Sequence, residues 1–151
     1  MAKQHERLIV LSNRLPFSFQ RDNAGKWRAE PSGGGLVTAL LPVLRHRGGI
    51  WIGWPGSTED MPDLSTDLPV PGEDTGFTLR GVSLTADEVR NFYEGFSNEV
   101  IWPLFHDMAL LCNFDPAYWR TYREVNRKFA RAAHGASRTG DFICYHVKVV
   151  L

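Results

Sequence analysis

Apolar and polar residues along this chain fall into blocks that predict strands and helices in turn. Leu8, Ile9, Val10 and Leu11 form an unbroken aliphatic run, the pattern of a strand covered on both faces in a parallel sheet. Ser12, Asn13 and Arg14 stand at its carboxyl end. Residues 16–34 mix Pro16, Asp22, Asn23, Gly25, Pro31, Gly33 and Gly34 with polar side chains and read as a long loop or loose hairpin. From Leu36 onward, Leu36, Ala39, Leu40, Val43 and Leu44 keep the three-and-four spacing of an amphipathic helix, with Pro42 inside it and Gly48 and Gly49 ending it. Ile50 to Trp54 is a second strand, closed by Pro55 and Gly56. Residues 55–76, rich in proline, glycine and acidic side chains, predict an exposed loop with one edge strand at most.

The second half continues the alternation. A third strand is expected around Phe77 to Val82. Ser83 or Thr85 opens a helix, Thr85 with Glu88 three residues on as a capping box, and this helix is expected to run to about Phe96. Asp115 followed by Pro116 is a stronger start, a cap and then a first-turn proline, for a helix to about Ala133 whose buried stripe is Tyr118, Tyr122, Val125 and Phe129. Phe142 to Tyr145 is a last short strand. Strands alternating with helices predict an α/β fold with a mainly parallel sheet.

Composition narrows the class. With 151 residues, 43% of them hydrophobic, the chain reads as one soluble globular domain, long enough to bury roughly 68 to 70% of its unfolded surface without a disulfide or metal staple. Its 17 basic and 17 acidic residues cancel, so the charge balance points to neither nucleic acid nor an anionic membrane. Cys112 and Cys144 are too few and too far apart for a disulfide framework or a cysteine zinc site, and His46, His106 and His134 have no partner at metal-ligand spacing, so no metal is assigned. The aliphatic run near the N-terminus is too short for a signal peptide and no stretch approaches a membrane span, which leaves the cytoplasm as the expected address.

Three features carry chemistry. Ser32-Gly33-Gly34-Gly35 opens the helix after the first strand, where bare glycines and free first-turn amides suit a phosphate. The spacing is neither the dinucleotide fingerprint nor a Walker A loop, and it serves a flexible loop ending in a tight turn as well. Arg14 stands at the strand edge where α/β sheets bind ligands, although a solvated loop arginine fits there too. Trp51 and Trp54 flank a strand end, while Tyr93, Phe96, Asn98, Trp102 and His106 crowd one stretch, a mixture that suits a carbohydrate or simply a core.

Together the pieces resemble a known family, the α,α-trehalose-phosphate synthases that transfer glucose from UDP-glucose to glucose 6-phosphate. LIVLSNRLP at Leu8 to Pro16, the glycine loop at Ser32 to Leu36, GGIWIGWPG at Gly48 to Gly56, FYEGFSNEVIWPLFH over residues 92–106 and YWRTYREVNRKF over residues 118–129 occur in the family's order and spacing. The resemblance implies a Rossmann-like sheet with flanking helices, forming the N-terminal, acceptor-side half of a two-domain GT-B glycosyltransferase that acts with retention and needs no obligatory metal or cofactor. It implies that Arg14, Tyr93 and Trp102 serve glucose 6-phosphate, that Gly34 and Gly35 approach UDP-glucose, and that Trp51 or Trp54 lines the pocket. The implied partners are thus a sugar phosphate and a nucleotide sugar, with association with itself or with a full-length synthase left open.

The sequence departs from the family in two places. It ends at Leu151, so the nucleotide-sugar-binding domain is expected to be missing and residues 1–151 to form a truncated N-terminal domain, inactive alone. DFICYHVKVVL at Asp141 to Leu151 also differs from a family pattern with a strand followed by His-Asp-Tyr-His: aligned without gaps, Val147 takes the place of the aspartate, and aligned on Tyr145-His146, a short deletion removes it. That departure raises a second expectation, a non-catalytic sugar-phosphate-binding or subunit-pairing module.

Overall fold

The computed structural model describes residues 6–61, 64, 68–70 and 76–146. In chain order the elements are β1 (Leu8–Arg14), β2 (Phe17–Arg21), β3 (Trp27–Pro31), α1 (Gly35–Arg47), β4 (Gly49–Trp54), β5 (Leu68–Pro69), β6 (Phe77–Gly81), α2 (Ala86–Glu88), a π-helical segment Val89–Ile101, α3 (Trp102–Phe105), one 3-10 turn at Ala109–Leu111, α4 (Pro116–Ala136) and β7 (Phe142–Tyr145). Five strands form one sheet in the order β5-β6-β4-β1-β7. Within it β1, β4, β6 and β7 run parallel and only β5 is antiparallel, so the expected α/β architecture is the one found.

The aliphatic runs of the sequence occupy the middle of this sheet. Because strand side chains alternate between faces, β1 splits its residues between two cores. Ile9 and Leu11 join Ile50 and Ile52 of β4 against Phe92, Val125 and Phe129 from the π-helical segment and α4. Leu8 and Val10 join Trp51 and Leu79 against Leu44 of α1 and Phe19 of β2. Each fully buried side chain of this size contributes roughly 1.5 to 3 kcal/mol, so the sheet is anchored from both sides.

Several elements differ from the sequence expectation for identifiable reasons. The first strand continues past Leu11 to Arg14, because Ser12 finds polar partners inside the fold, and its register on β4 shifts between Leu11 and Arg14. The loop at 16–34 holds an ordered hairpin, β2 paired with β3. Its turn is fastened by Asp22, which accepts from the Ala24 and Lys26 amides and from Arg28, while Gly25 takes a φ of +76°. The Arg28 guanidinium, ahead of the Lys26 amide, holds the Asp22 carboxyl below the usual carboxylate range.

Thr85 and Glu88 form the reciprocal capping box, yet the helix they open does not stop at Phe96. It continues through the wide turns of Val89–Ile101 into α3, the Trp102 amide reaching back to the Ser97 carbonyl. Phe92, Phe96 and Val100 recur every four residues and lie to one side in either helix type, so their spacing alone does not reveal the wider turn. Asp115 caps α4 through the Ala117 amide, and α4 runs past Ala133 to Ala136, burying Ala133 and Ala136 as well as the predicted Tyr122, Val125 and Phe129. Tyr118 is only half-buried. Among the described residues no helix is long and apolar enough to cross a membrane.

Candidate functional site

The carboxyl end of β1 and the start of α1 enclose a cavity of about 400 Å³. Arg14, Gly33, Gly34, Gly35, Trp51 and Tyr93 all line it, so the arginine, the glycine loop and two of the aromatics singled out in the sequence share a single crevice. Gly34 sits just before α1 at a φ of +144°, a conformation that L side chains avoid. Among the described residues no side chain caps the first turn of α1, and no acidic residue lies in it. Its orphan amides and the positive end of the helix dipole are thus available to an anion.

Arg14 is placed by a relay behind it. The Trp51 indole N–H donates to Ser12 Oγ at 2.8 Å, and the Ser12 hydroxyl donates to the Arg14 carbonyl at 2.6 Å. At Gly53, a Cβ would lie 2.6 Å from the Leu15 nitrogen and 2.7 Å from the Arg14 carbonyl carbon, so only glycine lets β4 pass this close to the end of β1. The Arg14 guanidinium stacks 5.0 Å from the centre of the Trp54 ring. No carboxylate pairs with it among the described residues.

The other predicted residues fall into two groups. Trp51 lines the cavity but is fully buried and committed to Ser12, whereas Trp54 backs Arg14 and ties its indole to the Ser57 carbonyl. Trp102 is not among the lining residues; it is 46% exposed and stacks on His106 at 4.1 Å. Among the polar lining residues, Ser18 and His146 escaped the sequence reading, while Ser12 and Asn13 were placed at the end of the first strand without a role. Ser18 and Ser32 share a hydrogen bond at 3.2 Å that ties β2 to the glycine loop. His146 arrives because β7 lies beside β1, its amide donating to the Leu11 carbonyl. A histidine at the carboxyl end of the last predicted strand was the signal for it. Val147 lies outside the described residues.

The sequence pattern of glycosyltransferase family 20 matches residues 6–147. The chain belongs to this family. It is 46% identical over 136 residues to the trehalose-6-phosphate synthase of Mycolicibacterium gilvum, an alignment covering 87% of this chain and 26% of that protein. The trehalose-6-phosphate synthase of Mycolicibacterium smegmatis is 42% identical over 134 residues, covering 87% of this chain and 25% of that protein. Among solved structures, the UDP-forming α,α-trehalose-phosphate synthase of Burkholderia vietnamiensis superposes with a TM-score of 0.69 at 33% identity, covering 93% of this chain and 27% of that one. The Burkholderia xenovorans enzyme in complex with glucose-6-phosphate superposes at 0.68 with 29% identity, again over 93% of this chain and 28% of that one. The chain therefore spans about a quarter of the length of the relatives it matches.

In this family 20 chain the cavity combines a guanidinium without a carboxylate partner among the described residues, the start of α1 and the Tyr93 side chain at one sheet edge. Donors of this kind are able to grip a phosphate through charge-assisted bonds worth roughly 1.5 to 3 kcal/mol each. The carboxylate of Asp141, at the foot of β7, sits in a two-point clasp with Arg7, 3.1 Å and 2.7 Å long, which holds its pKa below the usual range and fixes the strand that brings His146 to the site.

Proposed function

We propose that this chain is the N-terminal, acceptor-side part of a two-domain GT-B glycosyltransferase that moves glucose from UDP-glucose to glucose 6-phosphate, giving trehalose 6-phosphate. The observation that carries the reading is the cavity in which Arg14, without a carboxylate partner among the described residues, shares one crevice with the uncapped start of α1 and Tyr93. The relative crystallised with glucose-6-phosphate supports this choice of acceptor. In the reaction an acceptor hydroxyl forms a bond to the anomeric carbon of the donor as the bond to UDP breaks, with retention of configuration and oxocarbenium character in the transition state. Arg14 and Tyr93 hold the acceptor against that carbon, and the Gly34 and Gly35 amides meet negative charge on the leaving diphosphate, with no obligatory metal. Trp102 shapes the mouth of the acceptor pocket once the second domain faces it. The free thiols of Cys112 and Cys144 support a reducing, cytoplasmic setting. The exposed apolar side chains from Trp102 to Trp119 support association with a further part of the enzyme, a full-length synthase or a second copy.

Titration calorimetry tests the reading on this chain. Glucose 6-phosphate should bind and Arg14→Ala should abolish the heat; absence of binding to the unaltered chain, or binding undiminished by Arg14→Ala, overturns it. A second reading, a non-catalytic sugar-phosphate-binding or subunit-pairing module, is favoured by the sequence Tyr145-His146-Val147-Lys148, which carries no carboxylate where the family pattern has one. Glucosyl transfer by an enzyme that carries this segment, read as UDP release from UDP-glucose and glucose 6-phosphate, decides between the two.

A further inference from the structure

Asn13 stands between Ser12 and Arg14 at the carboxyl end of β1 and lines the same cavity. The residue is only 7% exposed, and its Oδ1 is closed off from solvent and meets no donor among the described residues. Buried polar atoms are nearly always hydrogen-bonded, so an unmatched acceptor beside a cavity calls for a donor brought by whatever binds there. The neighbouring serine cannot take this role, because Ser12 Oγ already accepts from Trp51 and donates to Arg14.

The chemistry of the missing donor is specific. The Arg14 guanidinium and the first-turn amides of α1 all donate, and a deprotonated phosphate only accepts, so those groups suit one another and leave Asn13 Oδ1 with nothing. A hydroxyl group does supply a donor. The terminal torsion of asparagine is broad and roughly two-fold, so the carboxamide turns toward the cavity that its residue lines with little cost. Resting on the sugar-phosphate reading above, we propose that Asn13 is a specificity-determining residue whose carboxamide oxygen accepts a hydrogen bond from a hydroxyl of the ligand that Arg14 holds by its phosphate. The site thereby selects phosphorylated polyols over inorganic phosphate.

Titration calorimetry of the chain with glucose 6-phosphate and, separately, with inorganic phosphate tests this, using Asn13→Ala, the similarly sized Asn13→Leu and Arg14→Ala. Both Asn13 variants should bind glucose 6-phosphate about three- to tenfold more weakly, the loss expected for one hydrogen bond. They should bind inorganic phosphate within twofold of the unaltered chain. The Tm of Asn13→Leu should be unchanged or higher, since replacing an unpaired buried acceptor with an apolar group of similar size gives up no protein hydrogen bond. Equal weakening toward both ligands, unchanged affinity for glucose 6-phosphate, or a fall in Tm that accounts for the loss overturns the role of Asn13. If Arg14→Ala abolishes binding while the Asn13 variants match the unaltered chain, only the inference about Asn13 falls. If the unaltered chain binds neither ligand, or Arg14→Ala binds normally, the sugar-phosphate reading falls with it.

Discussion

The Arg14 guanidinium lies 5.0 Å over the Trp54 ring, and the two residues are also backbone partners across β1 and β4. Stacking orients the planar group without neutralising it, so its charge stays available to a ligand. A guanidinium held this way loses less freedom on binding than one waving in solvent.

Trp54→Leu should therefore weaken glucose 6-phosphate binding about two- to fivefold, the range of an exposed cation–π contact, and lower Tm because Trp54 is nearly buried. Trp54→Phe should restore most of the affinity. Arg14→Lys should cost about tenfold or more, since an ammonium cannot grip phosphate with two parallel bonds. Calorimetry on the three variants checks the order.

Gly53 offers a second handle on the same arginine. An added methyl would collide with the backbone of Arg14 and Leu15, which cannot rotate away as a flexible side chain could. Gly53→Ala should destabilise the fold by about 1 to 3 kcal/mol, measured by denaturant titration, and should also weaken sugar-phosphate binding by pushing the end of β1 off β4. Stability loss with unaltered affinity would show that Arg14 does not depend on this close approach.

Much of this architecture was legible in the chain. Leu8 to Leu11 reads as a doubly covered strand because a parallel sheet needs such a run, and Asp115-Pro116 reads as a helix start because the cap and the fixed φ are both local. Arg14 and the glycine loop were also readable, since both attach directly to those elements. The hairpin was hidden because Trp27 to Pro31 has no clean alternation of its own and orders through Asp22 and its pairing with β2. Asn13 was visible only as the end of a strand, and His146 was hidden because it reaches the cavity only through pairing between segments more than 130 residues apart. Trp102 shows the opposite limit, a residue whose place in a motif was clear while its place in space depended on how far the π-helical segment carries it.

The clasp between Arg7 and Asp141 predicts a pH dependence. Its chief cause, the hydrogen bonds from Arg7, favours the ionised carboxylate, so the folded pKa lies below the unfolded value near 3.9. The clasp then stabilises the fold fully above about pH 4 and less and less as acid protonates the carboxylate below that. Thermal melts should show Asp141→Asn less stable than the unaltered chain at neutral pH, with the gap closing on acidification below pH 4. A gap of constant size across that range would contradict the assignment.

Tyr93 reaches the cavity from the π-helical segment, and the position of that segment is set by Gly95 two residues on. A Cβ at Gly95 would lie 2.7 to 2.9 Å from atoms of the Tyr118 ring on α4, so the bare glycine is what lets the two helices close. Burial raises the Tyr118 hydroxyl's pKa, and the neighbouring Glu99 carboxylate adds to this. Gly95→Ala should push the segment outward, lowering stability by about 1 to 3 kcal/mol and weakening glucose 6-phosphate binding through Tyr93. Shortening the opposing ring should relieve the collision, so Gly95→Ala with Tyr118→Leu should bind more tightly than Gly95→Ala alone. A double-mutant cycle in both Tm and affinity measures that coupling. Additive effects would mean that the helix spacing at Gly95 does not control where Tyr93 stands.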